Sequence, residues 1–292
     1  MKTQRFLVFL TVIALMLAAA ACDTSAPADA TPTPTSSPSS EMSAEQIADQ
    51  AVAASAEVDT CQFDMDMTMD MSFTEAGETY EIPFTVTSEG AVDKPNAKLF
   101  TASAMAMEIP GEGTMELSIQ TYIVDRWMYL GMEMPGVPLV WVKSPMETQD
   151  WEGMDVVSGQ MDLLLDVEVD LVGTEAVDGT ECYVLEIVPD MDSLWALVEM
   201  AGGDEGLPSD LDPEELITDV SVTQWVAQDT FFTRKTAIDL TMALTPEALG
   251  VSSEEAGDFD GTAELALVTT MHHINQPVTI ELPPEAEQAA EM

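Results

Sequence analysis

Positive charge is what this sequence has least of: its 292 residues carry 8 Lys and Arg against 54 Asp and Glu, a formal net charge of −46. Nucleic-acid binding is excluded, because affinity for phosphates comes from clustered Lys and Arg that release counterions. The same imbalance repels anionic lipid headgroups. Histidine is almost missing too, with only His272 and His273. Adjacent in a strand, these two should point to opposite faces. The chain also lacks a G-x-S-x-G elbow, a phosphate-cradling P-loop and an H-E-x-x-H pair, so no catalytic residue, no cofactor and no enzymatic activity are expected. No segment is long and apolar enough to span a bilayer. What remains abundant is apolar side chains, 46% of the residues. That is too much for a solvated acidic tail, and the chain should fold around a core.

Two of the eight cations, Lys2 and Arg5, precede sixteen uncharged residues from Phe6 to Ala21. A charged start, a short apolar run and small residues at its end are the pattern of an export signal, residues 1–21. LAAAAC at its end resembles the lipobox of bacterial lipoproteins, with Cys22 as the residue that receives the acyl chains (palmitate among them) and becomes the new N-terminus. An ordinary secretory signal with an incidental Cys22 is the plainer alternative. Residues 22–42 continue with a Pro-, Ser- and Thr-rich stretch that has no large apolar side chain before Met42 and reads as an extended tether. The layout implies a protein held through its lipid on the outer face of the cytoplasmic membrane, in the cell envelope or periplasm. Asp23 resembles the residue that favours retention there in enteric lipoproteins. The exported body then keeps six cations against all 54 acids. In an oxidising compartment, Cys61 and Cys182 are the natural disulfide pair, with two separate buried thiols as the alternative.

Residues 43–292 fit one sheet-rich domain. Ser43 and Gln46 form a capping-box pair, and Ile47, Ala51, Ala54 and Val58 fall on one helical stripe. The period then switches from 3.6 to 2. Phe63, Met65, Met67, Met69, Met71 and Phe73 point one way, and Asp64, Asp66, Thr68, Asp70 and Ser72 the other. Met115, Leu117, Ile119 and Ile123 share a face in a second strand. Ile238, Leu240, Met242 and Leu244 do so in a third, and Leu265, Leu267 and Met271 in a fourth. Asp178-Gly179 predicts a two-residue hairpin turn, and Asp260-Gly261 another. Helices are expected at 156–165 and 191–200, and 202–215 reads as an acidic loop. The fold class is therefore α+β: a large curved antiparallel sheet, a half-barrel, packed on a few helices.

The order of elements and three phrases, GTEAVDGTECYVLEI, VSVTQWVAQDTFFTRKTAIDLTM and INQPVTIELP, resemble the superfamily of the lipoprotein carriers LolA and LolB and the mycobacterial lipoproteins LppX and LprG. Trp225, Thr230 and the Arg234-Lys235 pair stand at matching positions; Ala227 replaces the usual Asp and Thr233 the usual Pro. The resemblance runs from about Ser43 to Pro283, and it implies a curved half-barrel around an apolar cavity that shelters acyl chains.

Methionine is the compositional excess, 21 residues, with M-x-M spacing at 65/67/69/71, 105/107 and 132/134. Unbranched, polarizable Met suits an adaptable apolar lining or core. Thioethers also select Cu(I), yet residues two apart on a strand lie roughly 7 Å apart, too far to share one ion without a second strand. The acids at Asp204, Glu205, Asp210, Asp212, Glu214 and Glu215 make a weak calcium candidate, because a loop can converge its oxygens. The leading expectation is a non-enzymatic, lipid-anchored protein that binds or carries an acyl chain, a lipid or a lipidated protein. Its cavity would be lined by Phe63, Met65, Met67, Met69, Met71, Phe73, Met115, Leu117, Ile119, Ile238, Leu240, Met242, Leu265 and Leu267. The alternatives are a sensory or structural envelope lipoprotein with a filled core that binds a protein partner, and a Met-rich copper binder.

Overall fold

The computed structural model describes residues 42–75, 77–111, 113–146, 167–189, 216–246, 248 and 260–291. Helix α1 (Ala44–Ser55) begins as the sequence predicts: Ser43 accepts from the Gln46 backbone N–H, and the Gln46 side chain accepts from the Ser43 N–H. Ile47, Ala48 and Ala51 form its buried stripe. Val58 lies beyond the helix end and packs in a different cluster. The helices predicted at 156–165 and 191–200, the acidic loop at 202–215 and everything before Met42 lie outside the described residues.

Twelve strands follow among the described residues: β1 (Thr60–Glu75), β2 (Glu78–Asp93), β3 (Lys98–Ile109), β4 (Gly113–Val124), β5 (Trp127–Met134), β6 (Val137–Pro145), β7 (Glu168–Val177), β8 (Thr180–Val188), β9 (Ile217–Ala227), β10 (Thr233–Ala243), β11 (Asp260–His272) and β12 (Ala290–Glu291). They make one open, curved sheet in the order β12-β6-β5-β4-β3-β2-β1-β11-β10-β9-β8-β7, antiparallel except where β12 joins β6. Two meanders, β1 to β6 and β7 to β11, meet at the β1–β11 ladder, which pairs residues continuously from Gln62↔His272 to Thr74↔Asp260. One face, the inner one, carries α1 over β7, β8 and β9 and holds the largest apolar clusters.

Two-residue turns link several strands. Asp178 (φ +50°) and Gly179 (φ +79°) are both left-handed and close the predicted β7–β8 hairpin. Asp125 and Arg126 do the same between β4 and β5 with no glycine to announce it. Asp260-Gly261, by contrast, is not a turn: it opens β11, and Gly261 is pressed so close to Ser72 and Phe73 of β1 that a side chain there would collide with them. The histidines also depart from expectation. His273 is left-handed (φ +47°), so the chain leaves the strand after His272 and the two rings do not take opposite faces: His272 meets Asp64 and His273 meets Gln62, both on the outer side of β1.

Past β11 the chain becomes a strap. Asn275 (φ +57°) ties it to the α1–β1 joint: its side-chain oxygen accepts from the Asp59 N–H at 2.8 Å, and its amide donates to the Glu57 carbonyl at 2.9 Å. The strap crosses the outer face, packs Leu282, Ala286 and Ala289 on Tyr122, Tyr129 and Trp141, and ends as β12 against β6, covering the edge at Val142 and Lys143. All six cations among the described residues, Lys94, Lys98, Arg126, Lys143, Arg234 and Lys235, fall at the end of the sheet where β1 starts. Lys98 donates to the Ile280 carbonyl at 3.3 Å, Lys143 pairs with Glu291 at 3.5 Å, and Lys235 lies 4.1 Å over the Trp225 ring. No helix among the described residues is long and apolar enough to cross a membrane.

The Asn275 joint can be tested in urea. Asn275→Ala should lose about 2 to 4 kcal/mol, from two hydrogen bonds and a left-handed backbone that alanine resists. Asn275→Gly, which tolerates the backbone, should recover about 1 kcal/mol of that.

Candidate ligand-binding face

The inner face is built row by row across the sheet. β1 alternates as its sequence dictates: Phe63, Met65, Met67, Met69, Met71 and Phe73 are all buried, while Asp66, Thr68 and Asp70 are exposed. Register places partners beside them. Met67 faces Leu267 of β11, which faces Ile238 of β10, which faces Val222 of β9. Met69, Leu265, Leu240 and Val220 form the next row. On the other flank, Val86, Met105 and Leu117 align across β2 to β4, as do Phe84, Met107 and Met115. Period 2 on every strand thus converges into one apolar face.

The residues singled out from the sequence divide into three groups. Met65, Met67, Met69, Met71, Phe73, Ile119, Leu240 and Leu265 are buried in one cluster, Leu117, Met242 and Leu267 pack partly buried against it, and Phe63 is buried in another. Ile238 joins the neighbouring cluster under α1. Met115 is on this face but emerges to solvent. Missed were Ile82, Phe84 and Val86 of β2. Their alternation was present, but Pro83 interrupts it; proline has no N–H to give, and the β2–β3 ladder starts only at Phe84.

One row is not apolar. Gln224, Thr236 and Thr269 stand side by side on β9, β10 and β11, and Ser88 and Ser103 hydrogen-bond to each other across β2 and β3, all buried. This polar row separates the Met-rich cluster from a second one, around Cys61, Phe63 and Ile123, at the cationic end. Two clefts lie at the opposite, acidic end, of about 470 and 340 Å³. Glu81 and Glu108 line the first, and Asp70, Glu81 and Glu264 the second.

The expected disulfide is absent. Cys61 sits on the inner face with Phe63 and Val92, and Cys182 on the outer face among Val177, Val184, Trp225 and Ala227. Three strands, β11, β10 and β9, separate β1 from β8, so with strands about 4.8 Å apart the Cα atoms are far beyond the roughly 7 Å a bridge allows. Burial pushes the Cys182 thiol up from its ordinary pKa, and it donates to the Thr180 carbonyl at 3.4 Å.

Polar clusters elsewhere serve the scaffold. His272 is held between Asp64, 2.7 Å from Nε2, and Asp178, 3.3 Å from Nδ1, joining β1 to the β7–β8 turn. Trp225 Nε1 donates to Glu175 at 2.7 Å. Among the described residues no three His, Cys, Asp or Glu side chains form a metal-holding group. The calcium candidate lies outside the described residues.

A family model described as a family of unknown function, DUF6612, matches residues 43–167, which take in α1 and β1 to β6. No curated protein matches the sequence. Among solved structures, the lipoprotein LppX of Mycobacterium tuberculosis is similar at 13% identity over 81% of this chain and 97% of its own, with a TM-score of 0.40. LprF of Mycobacterium bovis is similar at 13% identity over 82% and 96%, TM-score 0.43. A LolA superfamily protein of Nitrosomonas europaea is similar at 14% identity over 82% and 96%, TM-score 0.22.

Thiol counting tests the cysteine arrangement. In the exported protein carrying Cys22→Ser, Cys61 and Cys182 should resist alkylation when folded, and both should react in denaturant without reductant. An oxidised mass, two protons lighter, would contradict it.

Proposed function

We propose that this chain is an exported lipoprotein, anchored through Cys22 to the outer face of the cytoplasmic membrane, whose body holds an acyl chain, a lipid or a lipidated protein without doing chemistry on it. One observation carries the reading: the methionine and aliphatic rows continue unbroken across β9, β10, β11, β1, β2, β3 and β4 on a single face. Linear methionine side chains mould to an irregular ligand more readily than branched ones do. Each methylene moved out of water contributes about 0.8 kcal/mol, in a bilayer or against this face alike. Transfer between the two is then close to neutral, which is what reversible carriage requires.

Acidity has a place in this reading. Asp66 and Asp70 stand on the outer side of the strand that carries the methionines, so charge keeps the body soluble while the acyl anchor supplies attachment.

Two measurements test it. An alkyne analogue of palmitate fed to cells should label the wild-type chain and not Cys22→Ser. Native mass spectrometry of the secreted Cys22→Ser protein should show a bound lipid that a fluorescent fatty acid displaces; a ligand-free mass together with no probe binding would overturn the carrier role.

A further inference from the structure

The inner face does not stop where burial stops. Met107 and Ile119 are buried, but their cross-strand neighbours are not: Met115, opposite Met107, is 42% exposed and Met132, opposite Ile119, is 37% exposed. Beyond them Val140, opposite Met132, is 48% exposed, and Met134 and Val137, which face each other at the β5–β6 turn, are 47% and 43% exposed. Isolated apolar side chains on a surface need no explanation, but five on three adjacent strands, continuous with the core, do.

We propose that this lip, Met115, Met132, Met134, Val137 and Val140, is the threshold over which a lipid's acyl chain passes between a membrane and the inner face, and that it admits lipids without net negative charge. The proposal rests on the carrier reading above. Continuity gives the route: a chain lying on Met115 meets Met107 and then Phe84, a wholly apolar row, whereas Ile119 beside Met132 is followed by Ser103 and Ser88 of the polar row. Charge gives the occupant. Five of the six cations lie away from the lip, Lys143 of β6, three residues from Val140, is paired with Glu291, and the other ionised side chains of β3 to β6 near the lip are Glu108, Glu116 and Glu133, which alternate to the outer side. A phosphate or carboxylate head is repelled there, whereas a zwitterionic or neutral head meets no net penalty. A second copy of the chain would bring the same acids against these and is disfavoured on the same ground.

The test uses the Cys22→Ser chain and a triple variant, Met132→Gln, Met134→Gln and Val140→Thr, all at exposed positions. Uptake of a pyrene-labelled phosphatidylcholine from phosphatidylcholine vesicles should slow by about fivefold or more in the variant, with equilibrium occupancy and melting temperature unchanged, since a threshold alters rates in both directions equally. Replacing the vesicle lipid and the labelled lipid by phosphatidylglycerol should slow the wild type by about tenfold at low salt, and the difference should shrink as salt screens it. Equal rates in wild type and variant, with lipid taken up by both, would overturn the lip and leave the carrier reading standing. No uptake by the wild type would remove both. A dimer that the triple variant abolishes would give the patch to a second copy and overturn the proposal.

Discussion

The strict alternation along β1 is the constraint on which the rest depends. Because side chains on a strand point alternately to two faces, Phe63 to Phe73 can be buried only if Asp64 to Ser72 face water, and a one-residue slip would bury the aspartates. β1 also joins the two meanders, so its register sets theirs: β11 pairs with it residue for residue, and β10 and β9 follow. The apolar face is thus a consequence of one strand's sequence propagated sideways through hydrogen bonds.

Charge follows a second rule. The acids are spread over the body, whereas the cations are confined to one end and serve there as ties, from Lys98 to the strap, from Lys143 to β12 and from Lys235 to Trp225. That end is also where Asn275 fastens the strap to the α1–β1 joint and where His272 links β1 to the β7–β8 turn. The sheet is therefore secured at its cationic end, and its apolar face comes to the surface across β4, β5 and β6.

How much of this was legible in the sequence depended on whether the signal was local. The capping box of α1, the alternation of β1 and the Asp178-Gly179 turn are all set by residues within a few positions of each other, and each is found as read. Non-local features were hidden. The Cys61 and Cys182 pairing failed because residue identity and compartment do not encode which face of which strand a thiol occupies. Asp260-Gly261 has the composition of a turn, but the approach of Phe73 from β1 explains the glycine instead. The strap and β12 carry no periodic signal at all, and only the packing of Ala286 and Ala289 against Trp141 reveals why that stretch is ordered. Of the candidate ligand face, the methionines of β1 were plain, while β2 was obscured by Pro83 and the exposure of the lip could not be seen without the order of the strands.

Methionine oxidation addresses the central claim directly, since the same residue type marks both the buried rows and the exposed lip. On treatment of the folded protein with hydrogen peroxide and peptide mapping, Met115, Met132 and Met134 should convert to the sulfoxide at least about tenfold faster than Met65, Met67, Met69 and Met71, because oxidation follows exposure. Oxidation of the four β1 methionines as fast as Met134 would mean that their face is open to water, and the account of the sheet built on it would fail.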